Sequence, residues 1–164
     1  MSRVRSLFSK ADHVREATDL NRLILDLARL LRDDAIRRGV SIELQLGENL
    51  PPLKVDPVQI QQVLLNLATN GMDAMAESSG ERVLKISSGI EGAGTVKVDV
   101  QDRGRGFDEN TKARLFEPFF TTKLEGTGMG LAICRSIIEA HDGRIWATQS
   151  EGGAVFHFVL RAEQ

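Results

Sequence analysis

The chain has 164 residues, of which 41% are hydrophobic and 27% charged, and its formal net charge is −2. This length suits one domain with a packed core, and the small net charge gives no reason to expect nucleic acid or an anionic membrane as a partner. The single cysteine, Cys134, excludes an internal disulfide and suits a reducing compartment. No apolar run is long enough to span a bilayer, so we expect a cytoplasmic location without membrane contact by this segment.

The first 18 residues are polar and basic. We interpret residues 1–18 as the end of a helix followed by a linker, and residues 19–164 as the globular domain. His13 is interpreted as an exposed linker histidine.

A helix is predicted from about Asp19 to Arg38, with Asp19 as its cap and Gly39 as its end. Apolar residues recur there at helical spacing and predict a buried stripe made of Leu20, Leu23, Ile24, Leu27, Leu30 and Leu31. Residues 40–46 alternate as a strand, and residues 49–52 form a loop.

A second helix is predicted to begin after the cap Asp56, with Pro57 at its first position, and to run to about Ala76. Its buried side is expected to be Ile60, Val63, Leu64, Leu67 and Ala68. Asn66, Asn70 and Asp73 are spaced i, i+4, i+7 and lie within about 60° of one another. Asparagine is a poor helix former, so this stripe indicates either a binding site or a solvated face.

Residues 82–88 and 95–101 are predicted to form two strands joined by a glycine-rich turn. Asp102 ends the second strand, and its carboxylate can accept a hydrogen bond from an exocyclic amine such as adenine N6. Gly104 and Gly106 would let the backbone approach a flat ring closely. The alternative is an ordinary Asp-rich turn after a strand.

A glycine-rich segment, residues 126–130, precedes a predicted helix that carries Leu131, Ile133, Ile137 and Ile138. The N-terminus of such a helix attracts anions, which favours a phosphate loop, although the pattern is neither Walker nor Rossmann. The alternative is a flexible linker. We interpret residues 107–125 as a mobile lid whose base is anchored by Phe116, Phe119 and Phe120.

Two further strands, residues 144–148 and 154–160, are predicted after this helix, with Trp146 at the sheet edge. His141 and His157 have no partners at metal-ligand spacing and are interpreted as structural. Cys134 is interpreted as a packed small hydrophobic residue.

Four segments together resemble the sensor histidine kinases: residues 62–75 the N box, 102–106 the first glycine box, 115–123 the F box, and 126–131 the second glycine box. The resemblance runs from about Asp19 to Leu160 and is strongest to the oxygen-sensing and nitrogen-regulation branch. It implies an α/β two-layer sandwich of the Bergerat type. A mixed sheet of about five strands would be covered on one face by three helices.

The resemblance also implies site roles and two cofactors, ATP and Mg²⁺. Asn70 is similar to the magnesium ligand, Asn66 to the asparagine near the phosphates, and Asp102 to the adenine-binding carboxylate. Asn66 and Lys123 are the expected catalytic residues. The full expected nucleotide-binding set is Asn66, Asn70, Asp73, Asp102, Gly104, Gly106, Lys123, Gly126, Thr127, Gly128, Met129, Gly130 and Leu131.

Two positions depart from the wider family. Asp73 stands where many relatives place a basic residue, so another cation must help neutralise the γ-phosphate. Lys123 is the first candidate and Arg105 the second. Val155 stands where many relatives have Thr or Ser, which puts a water bridge to Asp102 in doubt.

The implied function is transfer of the γ-phosphoryl group of Mg-ATP to a histidine elsewhere. His13 is followed by Val14, Arg15 and Glu16 rather than by the phosphoacceptor motif, so we expect the acceptor on a dimerisation domain of the same kinase. Residues 1–18 would then end a dimerisation helix. A response regulator downstream and a full-length homodimer are also implied.

Two alternatives stand beside this reading. One is an ATP-hydrolysing relative of the same superfamily. Those relatives carry a glutamate where Asn66 stands, and an amide cannot take a proton from water, so hydrolysis should be poor. The other is a nucleotide-responsive interaction module without chemistry.

Overall fold

The computed structural model describes residues 14–118, 130–150 and 152–162. The strands are β1 (Glu16–Thr18), β2 (Ser41–Gln45), β3 (Leu53–Val55), β4 (Val83–Ile90), β5 (Thr95–Gln101), β6 (Arg144–Ser150) and β7 (Gly153–Arg161). The helices are α1 (Leu20–Arg38), α2 (Pro57–Ala74), α3 (Glu109–Arg114) and α4 (Gly130–Ala140).

The main sheet has five strands in the order β2-β4-β5-β7-β6. Strands β2 and β4 are parallel, and the other neighbours are antiparallel. Side chains alternate along β5, so that Val96, Val98 and Val100 are buried under the helices. Helix α2 packs between α1 and α4. The predicted mixed five-stranded sheet with three long helices on one face is therefore confirmed.

Helix α1 has the predicted ends. The Asp19 carboxylate accepts a hydrogen bond from the backbone N–H of Asn21 at 3.0 Å, and Gly39 has the left-handed φ of 68°. One member of the predicted apolar stripe is wrong, because Leu30 is 63% exposed. It lies about 90° from the centre of the buried stripe, outside the arc that the sheet covers.

Helix α2 begins as predicted. Asp56 accepts hydrogen bonds from the backbone N–H groups of Val58 and Gln59, and Pro57 occupies the first turn. The helix ends at Ala74, two residues before the predicted end, and its predicted apolar side is fully buried. In the described parts of the chain, no helix combines the length and apolar character needed to cross a bilayer.

A small second sheet was not predicted. Strand β1 pairs antiparallel with β3, and the Arg15 guanidinium donates to the carbonyl of Ala140 at 2.6 Å. The end of the predicted linker thus packs against the globular domain. The domain boundary at residues 18 and 19 stays a prediction.

His141 joins α4 to the start of α2. Its Nδ1 lies 2.8 Å from the carbonyl oxygen of Ile137 and so must donate, while its Nε2 accepts from the backbone N–H of Asp56 at 3.2 Å. The ring is buried and neutral in this arrangement. This geometry gives His141 a structural role.

The face of the sheet opposite the helices carries a polar and aromatic cluster. His157 Nδ1 lies 2.6 Å from Asp99 Oδ1, and Thr148 Oγ1 lies 2.8 Å from His157 Nε2. Trp146 lies on the edge strand β6, as predicted, and stacks on His157 with ring centroids 5.1 Å apart.

Candidate functional site

Asp102 is the centre of the site. It follows β5 directly, and only 3% of it is exposed. Its Oδ1 accepts hydrogen bonds from the backbone N–H of Gly104 at 2.8 Å and of Ala154 at 3.4 Å. Its Oδ2 lies on the side of Gly71, where an added Cβ would be 3.8 Å away. The carboxylate is therefore anchored through one oxygen and turned with the other toward helix α2.

Burial raises the pKa of Asp102 above its ordinary value, and the hydrogen bonds from Gly104 and Ala154 oppose the rise. A buried carboxylate is costly to ionise unless donors compensate it. A ligand that donates to Oδ2 would add a compensating bond. The amine of a purine base is a ligand of this kind.

Glycines allow the backbone to close around Asp102. A Cβ on Gly153 would lie 2.0 Å from the Asp102 carbonyl oxygen, and a Cβ on Gly104 would lie 2.4 Å from the Ala74 carbonyl oxygen. Gly104 therefore has a packing reason to be glycine, namely its close approach to the end of α2. Gly106 has a left-handed φ of 70°. Sequence reasoning missed Gly153, because nothing local separates it from an ordinary turn glycine.

The amide residues of α2 face the start of α4. Asn66 Nδ2 donates to the carbonyl of Gly130, the first residue of α4, at 3.4 Å. Asn66 also hydrogen-bonds to the Cys134 thiol, whose pKa burial raises to about 12. Asn70 is half-buried one turn further along α2. Helix α2 therefore links Asp102, through Gly71, to the N-terminal end of α4, through Asn66.

Asp73 ends the polar stripe of α2 and is held by an arginine. Arg38 Nη1 lies 2.8 Å from Asp73 Oδ1, and Arg38 Nε lies 3.3 Å from Asp34 Oδ2. Lys123 and Arg105 were expected as cations for the γ-phosphate, and that expectation stays a prediction, whereas the pairing of Arg38 with Asp73 was not predicted. No local pattern could have found it, because Arg38 and Asp73 are 35 residues apart.

Two phenylalanines of the predicted lid contact the sheet through their aromatic rings. Phe107 and Phe116 each contact the Phe156 ring edge-on, with centroid distances of 6.4 and 6.2 Å. Between them, Asp108 caps α3 by accepting from the Thr111 N–H at 2.7 Å. The anchoring role expected for Phe116 thus has a physical partner, and the mobility of the lid stays a prediction.

Several expected site residues lie outside the described residues: Phe119, Phe120, Lys123, Gly126, Thr127, Gly128 and Met129. Their roles stay predictions. Gly130 begins α4, and Leu131 is partly buried against the core. Arg105 is exposed in the turn after Asp102.

Known proteins with similar sequences and structures bear on this site. The family model described as "Histidine kinase-, DNA gyrase B-, and HSP90-like ATPase" matches residues 55–164. The sensor protein TdiS of Thauera aromatica is 40% identical over 98% of this chain and 30% of its own length. The sensor protein FixL of Bradyrhizobium diazoefficiens is 38% identical over 98% of this chain and 32% of its own length.

A solved structure agrees with these sequence matches. The nucleotide-free catalytic domain of the histidine kinase ThkA is 35% identical, covers 90% of this chain and 95% of its own, and superposes with a TM-score of 0.80. ThkA has also been crystallised in complex with the response regulator protein TrrA.

This chain spans about a third of the length of the two curated relatives described. Its family match covers most of its length, and the ThkA domain matches it nearly end to end. The chain therefore belongs to the histidine kinase-, DNA gyrase B- and HSP90-like ATPase family, where it groups with the sensor histidine kinases.

Proposed function

We propose that this domain binds Mg-ATP and presents the γ-phosphoryl group for transfer to a histidine on a dimerisation domain of the same kinase. The observation that carries the proposal is the buried Asp102, which is fixed through one oxygen by two backbone N–H groups. Its other oxygen lies beside the helix that also bears Asn66 and Asn70.

Adenine recognition follows from this geometry. Asp102 Oδ2, which lies on the side of Gly71, accepts a hydrogen bond from the N6 amine of adenine. The two backbone donors on Oδ1 prevent the carboxylate from rotating away. A ligand with a carbonyl in place of the amine would set two acceptors against each other, so the site selects adenine over guanine.

The polyphosphate then extends from Asp102 toward the start of α4. Asn66 reaches Gly130, so the amide face of α2 and the N-terminus of α4 line the same region. Gly126, Thr127, Gly128 and Met129 would supply backbone N–H donors there, together with Gly130.

The amide oxygen of Asn70 has the chemistry that a magnesium ligand requires. Mg²⁺ prefers oxygen ligands and is commonly bound by one or two side chains together with phosphates and water. The amide oxygen of Asn70 supplies such a ligand. When bound, the ion would neutralise charge on the phosphates, while the residues of this chain would hold the nucleotide in position. Lys123 on the lid would approach the γ-phosphate.

Phosphoryl transfer requires positioning and charge neutralisation more than covalent chemistry by the protein. The site residues that the structure describes offer carboxylate, amide and backbone groups, which suit binding and positioning of the nucleotide. We therefore propose that the accepting histidine belongs to a dimerisation domain, that residues 1–18 lead from that domain, and that the full protein is a homodimer. A response regulator would receive the phosphoryl group next, and the kinase ThkA has been crystallised in complex with a response regulator.

The test is a transfer assay in which the chain is mixed with a separately produced dimerisation domain and radiolabelled Mg-ATP. Acid-labile label should appear on the dimerisation domain and not on this chain. Asn70→Ala should lose most of the transfer, whereas Gln62→Ala, an exposed residue on the same helix, should not. Label on the chain alone, or full transfer by Asn70→Ala, would refute the proposal.

A further inference from the structure

A carboxylate at position 73 is unexpected, because a nucleotide tail beside Asn70 would lie close to it. Asp73 follows Asn70 by one turn, about 4.5 Å along the axis of α2, on the face that also bears Asn66. A nucleotide tail beside Asn70 brings several negative charges. A carboxylate within a few ångströms of that tail would repel it unless a cation compensates.

Arg38 is a cation that the structure places beside Asp73. Its Nη1 lies 2.8 Å from Asp73 Oδ1, and the two side chains are 32% and 27% exposed. The pKa of Arg38 is raised above its usual value, chiefly by the hydrogen bond to Asp73, while burial opposes the rise. This half-buried pair differs from the neighbouring pair of Arg37 with Asp34, in which the Arg37 side chain is 75% exposed.

The surroundings hold Arg38 in place. The Arg82 guanidinium donates to the Arg38 carbonyl at 2.7 Å and to the Ala76 carbonyl at 3.0 Å. It thereby ties the last turn of α1 to the turn that follows α2. Arg38 also contacts Asp34 one turn earlier on its own helix. A side chain held this way loses less entropy on pairing than a mobile surface arginine.

We propose that Arg38 is an electrostatic positioning residue of the nucleotide site, where it neutralises Asp73 and thereby lets the polyphosphate lie beside Asn70. This inference rests on the proposed function. Arg38 acts through Asp73 and not by direct contact with the phosphates.

The experiment compares four variants by calorimetry with Mg-ATP and with adenosine. We expect Arg38→Ala to lose about tenfold in affinity for Mg-ATP, the size of effect that removing one compensating charge at short range gives near solvent. Adenosine has no phosphates, so its affinity should be unchanged. Asp73→Asn combined with Arg38→Ala should return Mg-ATP affinity to within about twofold of the parent, since the repelling charge is gone. Asp73→Asn alone removes the repelling carboxylate and keeps Arg38, so its Mg-ATP affinity should rise above that of the parent.

The matched control is Arg37→Ala, which removes a neighbouring arginine that pairs with Asp34 and should leave both affinities unchanged. Arg38→Gln keeps most of the side-chain stem and serves if the alanine variant unfolds. Unchanged Mg-ATP affinity in the Arg38 variants would overturn the inference. So would an equal loss for adenosine, which indicates a structural defect, or a loss that persists in the double variant. Failure of the parent to bind Mg-ATP at all would instead refute the proposed function.

Discussion

Two carboxylates near the end of β5 lie on opposite faces of the sheet and have different surroundings. Asp99 faces away from the helices, and its partners are the side chains of His157 at 2.6 Å and Lys97 at 3.9 Å. Asp102 is buried under the helices, and its partners are the backbone N–H groups of Gly104 and Ala154. The side chains that contact Asp99 can move together with its carboxylate. The backbone N–H groups that contact Asp102 hold its buried carboxylate in one position. A rigid acceptor for a ligand therefore requires backbone donors of the kind that hold Asp102.

The largest effect should appear when the charge of each of these two carboxylates is removed in turn. Asp102→Asn should weaken ADP binding by about 1.5–3 kcal/mol, the range for a hydrogen bond to a charged group, because the amide cannot both keep its backbone bonds and accept from adenine N6. Asp99→Asn should leave ADP affinity unchanged. Calorimetry on both variants, with circular dichroism to verify folding, measures the difference. Equal ADP affinities in the two variants would show that Asp102 does not bind the adenine base.

A smaller effect concerns how closely the chain packs at two glycines of the sheet. Gly153→Ala should lower the free energy of unfolding by about 1–3 kcal/mol, the usual cost of overpacking, because its Cβ would collide with the Asp102 carbonyl. Gly89→Ala on β4, where an added Cβ meets no atom within 4 Å, should change it by less than about 0.5 kcal/mol. Urea unfolding compares the two variants. If they are equally stable, the close approach at Gly153 does not constrain the chain.

The smallest effect is a pH dependence confined to the buried carboxylate. Burial raises the pKa of Asp102 in the folded state above the ordinary 3.8, so the folded chain binds this proton more tightly than the unfolded chain. The contribution of this group to stability therefore falls as pH rises from about 3.8 through the raised pKa. Asp102→Asn should abolish this part of the pH dependence.

The measurement is urea unfolding of the parent and of Asp102→Asn between pH 4 and 7. The stability of the parent relative to the variant should decrease with rising pH over the lower part of this range. A constant difference across the range would show that the surroundings of Asp102 compensate its burial fully.

Much of the fold could be predicted from local patterns. Helix α2 was found from the Asp56–Pro57 start and from apolar residues at helical spacing, all of which are buried. Strand β5 was found from strict alternation. These signals are local because a helix or strand shows one face to the core, and residues three or four apart, or two apart, share that face.

The remaining features depend on distances between parts of the chain that no local pattern encodes. The pairing of Arg38 with Asp73 and the approach of Gly153 to Asp102 join residues far apart in sequence. Strands β1 and β3 have three residues each, too few to show alternation. The exposure of Leu30 reflects how α1 is rotated on the sheet. Only the four ordered sequence motifs, read together, pointed to one site.

The pairing of β1 with β3 has a mechanical consequence. Its three residue pairs run from Glu16 opposite Val55 to Thr18 opposite Leu53. A pull along the axis of β1 loads its hydrogen bonds in shear, so they resist together rather than one after another. The residue after Val55 is Asp56, the cap of the helix that bears Asn66 and Asn70. The chain before Glu16 is thus tethered one residue from the start of that helix, and through Arg15 also to the end of α4, so tension on the tether acts on both helices of the site.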